Sequence, residues 1–198
     1  MSDGYARLGL RGNPFVAEQE PGVAEAVFLD VGLPPLPARG PSRATVIEVV
    51  GCKGAGKTTH LLRWCDQAGG RYRHVGPGLG RLAWPPVAPV VAWDEVDRLP
   101  RPILRVRLAA ARRAGALVLL GTHVPTGLAD VSHRLPSPDG RLVTAFARRR
   151  VEAATLPGAH VDFALAPAEA EAIAAASGGC WWTIGTALHI RAAQAAAL

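Results

Sequence analysis

Gly51-Cys52-Lys53-Gly54-Ala55-Gly56-Lys57-Thr58-Thr59 decides how the rest of this 198-residue chain is read. The stretch fits G-x-x-x-x-G-K-[ST], the P-loop or Walker A pattern, in which backbone N–H groups surround a phosphate. Gly51, Gly54 and Gly56 allow the dihedrals that turn successive N–H groups toward one anion, and Cys52, Lys53 and Ala55 join the cradle through their backbone. Lys53 and Lys57 are the only lysines; the other 20 of the 22 Lys and Arg are arginines. A chain so rich in arginine keeps a lysine where a compact ammonium on a thin stem must reach the β- and γ-phosphates. A planar guanidinium is too wide for that slot. Lys57 takes this role, and the Lys53 side chain reads as solvated.

The flanks supply the context the motif needs. Ala44-Thr45-Val46-Ile47-Glu48-Val49-Val50 is short and rich in β-branched residues, as a buried parallel strand is. After the loop, Leu61, Leu62 and Cys65 recur at helical spacing with Trp64 beside them. Strand, glycine turn and helix therefore follow in order. The helix start near Lys57 adds a partial positive charge. The Thr58 hydroxyl is expected to ligate Mg²⁺ and Thr59 to reach the α-phosphate.

A second half of the site is expected in Val90-Val91-Ala92-Trp93-Asp94-Glu95-Val96-Asp97-Arg98-Leu99, an apolar strand ending in adjacent carboxylates (the Walker B arrangement). Asp94, at the strand tip, would hold the Mg²⁺ shell, and Glu95 would orient and polarise the attacking water. Asp97 and Arg98 read as a pair at a helix start or as solvated groups. Leu104, Leu108 and Ala111 then share a helical face, with Arg101, Arg105, Arg112 and Arg113 around the rest. Ala116-Leu117-Val118-Leu119-Leu120-Gly121-Thr122-His123 is another buried strand. Ligands meet such strands at their carboxyl ends, so Thr122 or His123 is placed to sense the γ-phosphate or the water, or else merely caps the strand.

At 20.7 kDa and 49% hydrophobic residues the chain suits one core plus a small appendage. An N-terminal arm with the proline-rich linker Gly32–Pro41 is expected over 1–43, a P-loop core over 44–165 and a helical lid over 166–198. Further strands are expected at Tyr72–Val75 and His160–Leu165. Gly76–Pro89 reads as a loop in which Trp84 covers the sheet or meets a partner. Pro167 starts a helix that Gly178-Gly179 ends, and Thr183 caps another that runs through Arg191. The fold class is α/β, three layers around a mainly parallel sheet.

No apolar run reaches bilayer-spanning length, and the N-terminus lacks a signal peptide's hydrophobic region. Cys52, Cys65 and Cys180, an odd number without metal-ligand spacing, point to a reducing cytoplasmic compartment. A net charge of +6 permits nucleic-acid contact. Apart from Arg148-Arg149-Arg150, however, the arginines are dispersed and not interleaved with aromatics, so solvated faces are the better reading.

On these residues the chain resembles the P-loop ATPases of the AAA superfamily, and within it the ExeA-like secretion ATPases and transposition helper ATPases. Leu8-Gly9-Leu10, Asn13-Pro14-Phe15 and Phe28-Leu29 are similar to the family's adenine-side segment, and Leu119-Leu120-Gly121-Thr122 to its sensor-1 strand. Ser177-Gly178-Gly179-Cys180-Trp181-Trp182-Thr183-Ile184 resembles the entry to the lid's last helix. The resemblance implies ATP with Mg²⁺ as cofactors, hydrolysis to ADP and phosphate as a conformational switch, and a homo-oligomer or protein partner. In such an assembly Arg150 would reach a neighbouring subunit's γ-phosphate. Two departures bear on rate: Trp182 stands where a sensor-2 arginine is expected, and Thr or His where Asn or Gln is the common sensor-1 residue. They imply slow hydrolysis, or else a nucleotide-gated adaptor without appreciable turnover, while the arginine surplus leaves a DNA-associated helper as a further alternative.

Overall fold

The computed structural model describes residues 3–15, 28–36, 45–78, 88–161 and 163–197. Trp84, the end of the linker at 37–41 and Ala44 lie outside them. In chain order the described elements are α1 (Asp3–Arg7), β1 (Val46–Val50), α2 (Lys57–Gln67), β2 (Arg71–His74), β3 (Val90–Asp94), a 3-10 turn (Val96–Arg98) and α3 (Arg101–Arg113). They continue with β4 (Leu117–Thr122), β5 (Val131–Arg134), α4 (Gly140–Ala154), α5 (Pro167–Ala176) and α6 (Trp181–Ala197). Two compact units form, one from residues 32–136 and the other from 1–31 with 137–198.

The first unit is an α/β sandwich around a five-stranded parallel sheet ordered β2-β3-β4-β1-β5. β1, β3 and β4 are buried along their whole length, which is why apolar residues dominate each, with Glu48 the one charged residue inside β1. Side chains alternate between the two faces. Val91, Trp93, Val118 and Leu120 pack with Leu104 and Leu108 of α3. On the other face α2 buries Leu61, Trp64 and Cys65. This is the P-loop NTPase fold, with β4 inserted between the strand that enters the loop and the strand that ends in Asp94.

The fifth strand is not the one expected. None of the described residues at 160–165 is in a strand, whereas Val131-Ser132-His133-Arg134 pairs with β1 from Ile47↔Val131 to Val50↔Arg134. An edge strand leaves much of its surface to solvent, so it carries polar residues and no apolar signal.

The second unit is helical. Asp139 caps α4 by accepting from Leu142 N at 2.8 Å. Val143, Ala147 and Val151 of α4 share a core with Ala170 and Ala174 of α5, Ile184, Leu188 and Ala192 of α6, and Leu10 and Phe15. The Leu8–Phe15 segment is held there by an antiparallel bridge, Leu10↔Thr155, and by Asn13 Nδ2 donating to Tyr5 OH and to His189 O, both at 3.0 Å. Packing thus groups α4 with the C-terminal helices, although the sequence places residues 140–154 in the core. α6 begins at Trp181, so Thr183 lies within its first turn and does not cap it. No helix among the described residues is long and apolar enough to cross a membrane.

Candidate functional site

Lys57, Thr58, Asp94, Glu95, Thr122 and His123 lie at or just beyond the carboxyl ends of β1, β3 and β4. β1 runs into Gly51, whose N–H donates to Thr122 O at 3.2 Å and ties the loop entrance to the end of β4. Ala55 N donates back to Cys52 O at 3.2 Å, closing a turn. Gly54 at φ 78° and Gly56 at φ 93° take left-handed backbone that only glycine adopts without strain. Gly56 is the N-cap of α2 and offers no side-chain acceptor to the helix's first-turn N–H groups. Those groups and the helix dipole suit an anion. Cys52, Lys53, Thr58 and Thr59 are exposed.

Lys57 is buried, and its Nζ donates to Gly51 O at 2.8 Å and Cys52 O at 2.9 Å. Burial lowers its pKa below the ordinary lysine value, against the opposing pull of Asp94. The next residue joins the two halves of the site: Thr58 Oγ1 donates to Asp94 Oδ2 at 2.5 Å. Asp94, 1% exposed, also accepts from Tyr72 OH at 3.0 Å on Oδ2 and from Glu95 N at 3.0 Å on Oδ1. Burial, with Asp94 beside it, pushes the Tyr72 phenol above its ordinary value, so it stays a proton donor. Gly121 of β4 makes room for this carboxylate. A Cβ there would overlap Asp94 and come within 2.8 Å of Leu61 Cδ1.

Glu95 is the one described non-glycine residue with positive φ, at 58°. Its carboxylate is ion-paired with Arg98 and lies 3.9 Å from His74 Nε2. Arg98 is fixed in turn by donating to Val75 O at 3.1 Å. The Asp97–Arg98 pair is therefore replaced by two others, because Asp97 Oδ2 meets His123 Nδ1 at 2.9 Å. Burial alone would raise the Asp97 pKa, but the His123 contact and a backbone hydrogen bond bring it below the ordinary carboxylate value. Thr122 is buried and its hydroxyl donates to Val124 O at 2.7 Å, whereas the His123 ring is partly exposed.

Lys57, Thr58, Asp94, Glu95, Thr122 and His123 all belong to the sheet unit; Arg150 and Trp182 belong to the helical one. Arg150 NH1 donates to Pro14 O at 3.3 Å and its guanidinium lies 4.8 Å from the Phe146 ring centroid. Burial lowers its pKa. Trp182 is 75% exposed. Three groups that shape the site carry no motif of their own: Tyr72, Arg98 and Gly121. The signal for Tyr72 was a lone aromatic in a strand otherwise made of Arg71, Arg73 and His74.

A buried carboxylate bonded to a hydroxyl is a hard oxygen pair. No cluster of three or more His, Cys, Asp or Glu among the described residues could hold a metal. That donor set fits Mg²⁺, which takes one or two protein oxygens and completes its shell with phosphates and water.

No family model matches the chain, and no curated protein matches it either. Among solved structures, the chain is similar to the Thermotoga maritima RuvB Holliday junction branch migration motor. The TM-score is 0.54 at 18% identity, covering 74% of this chain and 53% of that one. It is also similar to the Aeropyrum pernix ORC2 protein in its ADP form, with a TM-score of 0.47 at 14% identity, covering 78% of this chain and 62% of that one. The chain spans about half the length of the RuvB structure. The narrower likeness to ExeA-like and transposition helper ATPases rests on the quoted residues alone. Sheet order, P-loop and the RuvB likeness together give the chain the P-loop NTPase fold.

Proposed function

We propose that this protein binds Mg-ATP and hydrolyses it slowly, as a conformational switch. The observation that carries the reading is the Thr58–Asp94 hydrogen bond of 2.5 Å, which joins the P-loop helix to the acidic tip of β3 beside the buried Lys57. On binding, Lys57 exchanges the carbonyls of Gly51 and Cys52 for the β- and γ-phosphates, and the backbone of Gly51–Thr59 encloses them. Thr58 and Asp94 hold the magnesium shell; the ion, when bound, offsets phosphate charge and polarises the transferring group. Glu95 orients and deprotonates the attacking water once its carboxylate leaves Arg98. His123, partly exposed at the tip of β4, is better placed than the inward-bonded Thr122 to follow the γ-phosphate. In a homo-oligomer Arg150 acts on a neighbour's nucleotide only after leaving Pro14 and Phe146.

Titration of the full chain with a fluorescent ATP analogue tests this. Saturable, magnesium-dependent binding that weakens at least about tenfold in Lys57→Ala is expected, the loss of one charge-assisted contact pair. Equal affinities would refute it.

A second reading, a nucleotide-gated adaptor without turnover, is favoured by the Glu95–Arg98 ion pair together with the exposed Trp182. One intact ATP per chain surviving purification would select it.

A further inference from the structure

Asp94 is held by donors from three places: Thr58 of α2, Tyr72 of β2 and the Glu95 main chain. Tyr72 is paired with Ala92, and His74 with Asp94, in the β2–β3 register. Tyr72 and Asp94 therefore share a face of the sheet two residues apart along the strands. A phenol laid along that face spans the offset and brings its hydroxyl to Oδ2 at 3.0 Å. No shorter hydroxyl side chain would do so from that position. A carboxylate held at one oxygen alone turns about its Cβ–Cγ bond. Here Glu95 N fixes Oδ1 and the phenol fixes Oδ2, which sets the carboxylate plane while leaving a lone pair of Oδ2 toward Thr58.

We propose that Tyr72 is a positioning residue for the divalent cation bound with the nucleotide, acting through Asp94; this rests on the reading of the site proposed above. Thr58 is the donor that must also turn its oxygen toward the cation. Tyr72 then keeps the buried carboxylate satisfied and its plane unchanged, and outer-shell partners of this kind typically contribute about 10–100-fold to metal affinity. The phosphates themselves do not depend on it, because Lys57 and the loop backbone make those contacts.

The experiment measures the affinity of the full chain for a non-hydrolysable ATP analogue, in excess EDTA and in Mg²⁺. It uses wild type, Tyr72→Phe and Tyr72→Met, the last filling similar space without a donor. Mn²⁺ binding in the presence of the analogue, followed by electron paramagnetic resonance, is the second readout. The expected result is an EDTA affinity within about twofold of wild type in both variants, with the Mg²⁺-dependent gain and the Mn²⁺ affinity cut about tenfold. An unchanged magnesium gain in both variants would overturn the role of Tyr72. So would an equal loss with and without magnesium, which marks a merely structural residue. A wild type that binds no nucleotide under either condition would instead overturn the reading of the whole site.

Discussion

Gly121→Ala is the most exacting test of how the two halves of the site are packed. The added Cβ has two neighbours, the Asp94 carboxylate and Leu61 Cδ1, the latter at 2.8 Å. Leu61 is fully buried on α2, and Asp94 is held by three hydrogen bonds, so neither yields without loss. Overpacking of a well-filled core costs about 1–3 kcal/mol. Weakening one hydrogen bond to a buried carboxylate adds about 1–3 kcal/mol. A combined destabilisation of about 2–6 kcal/mol follows, or a fall in midpoint of roughly 4–24 °C for a chain of this size. Gly76→Ala is the matched control in the same unit, because a Cβ there meets nothing within 4 Å and its φ is not positive. It is expected to leave stability unchanged or raise it by up to about 1 kcal/mol. Both are read by thermal unfolding, with affinity for a magnesium-bound ATP analogue measured beside it. If Gly121→Ala unfolds within a degree of wild type and binds the analogue equally well, β4 does not pack on Asp94, and the placement of that carboxylate is wrong.

Glu95→Gln is expected to slow phosphate release at least about 100-fold with nucleotide affinity kept within about threefold, since general-base help is typically worth 10²–10⁴-fold. Arg98→Ala, which frees the Glu95 carboxylate, should raise the release rate several-fold; a fall would mean that the ion pair assists turnover. Asp97 titrates below its ordinary value of 3.8, so the stability it contributes is complete above that pH and is lost as pH falls through the lower folded-state value. His123→Ala should therefore cost about 0.2–1 kcal/mol near neutral pH, a cost that fades as acid protonates Asp97, measured as denaturation midpoints from neutral into acid. In the helical unit, Gly140→Ala drives a Cβ against Glu171, whose carboxylate accepts from Gly140 N at 2.5 Å, and should cost about 1–3 kcal/mol by thermal unfolding.

The parts of this fold legible in sequence are those that bury both faces of an element. β1, β3 and β4 have no solvent-facing side, so their apolar runs leave one interpretation, and the glycines of the loop between β1 and α2 have a stereochemical need that the sequence displays. β5 was illegible for the converse reason: an edge strand of Val131, Ser132, His133 and Arg134 is specified by its pairing with β1 and not by its own composition. The grouping of α4 was hidden too. Its Val143, Ala147 and Val151 announce an amphipathic helix but not which partner covers them. Within the site, spacing alone identifies Lys57, Thr58, Asp94 and Glu95. The choice between Thr122 and His123 waits on strand parity, which places Thr122 on the face of Val118 and Leu120 that α3 covers. Contacts made across strands, such as Tyr72 to Asp94, carry no linear spacing at all.

One feature of the site has consequences for both affinity and rate. Lys57 is bonded to two loop carbonyls, Thr58 to Asp94, Glu95 to Arg98, Thr122 to Val124 O and His123 to Asp97. Each of these side chains therefore has a partner within the protein. Binding is then an exchange in which each new contact displaces an existing one, and each such exchange nets only about 0.5–1.5 kcal/mol, more where charge is involved. The exchanges fall into two sets on different elements. On the proposed reading, Lys57 and Thr58 would rearrange on the P-loop helix as phosphate and magnesium enter. Glu95 rearranges at the turn after β3, where a left-handed backbone and Arg98 hold its carboxylate. The two sets share no residue, so the proposed reading makes occupancy and turnover separable. Variants of Lys57 should change affinity, variants of Arg98 should change rate, and the double variant Lys57→Ala/Arg98→Ala should show the two effects adding within about 0.5 kcal/mol. A coupling larger than that would mean that phosphate contact itself releases Glu95, and the protein would then hydrolyse ATP as soon as it binds it.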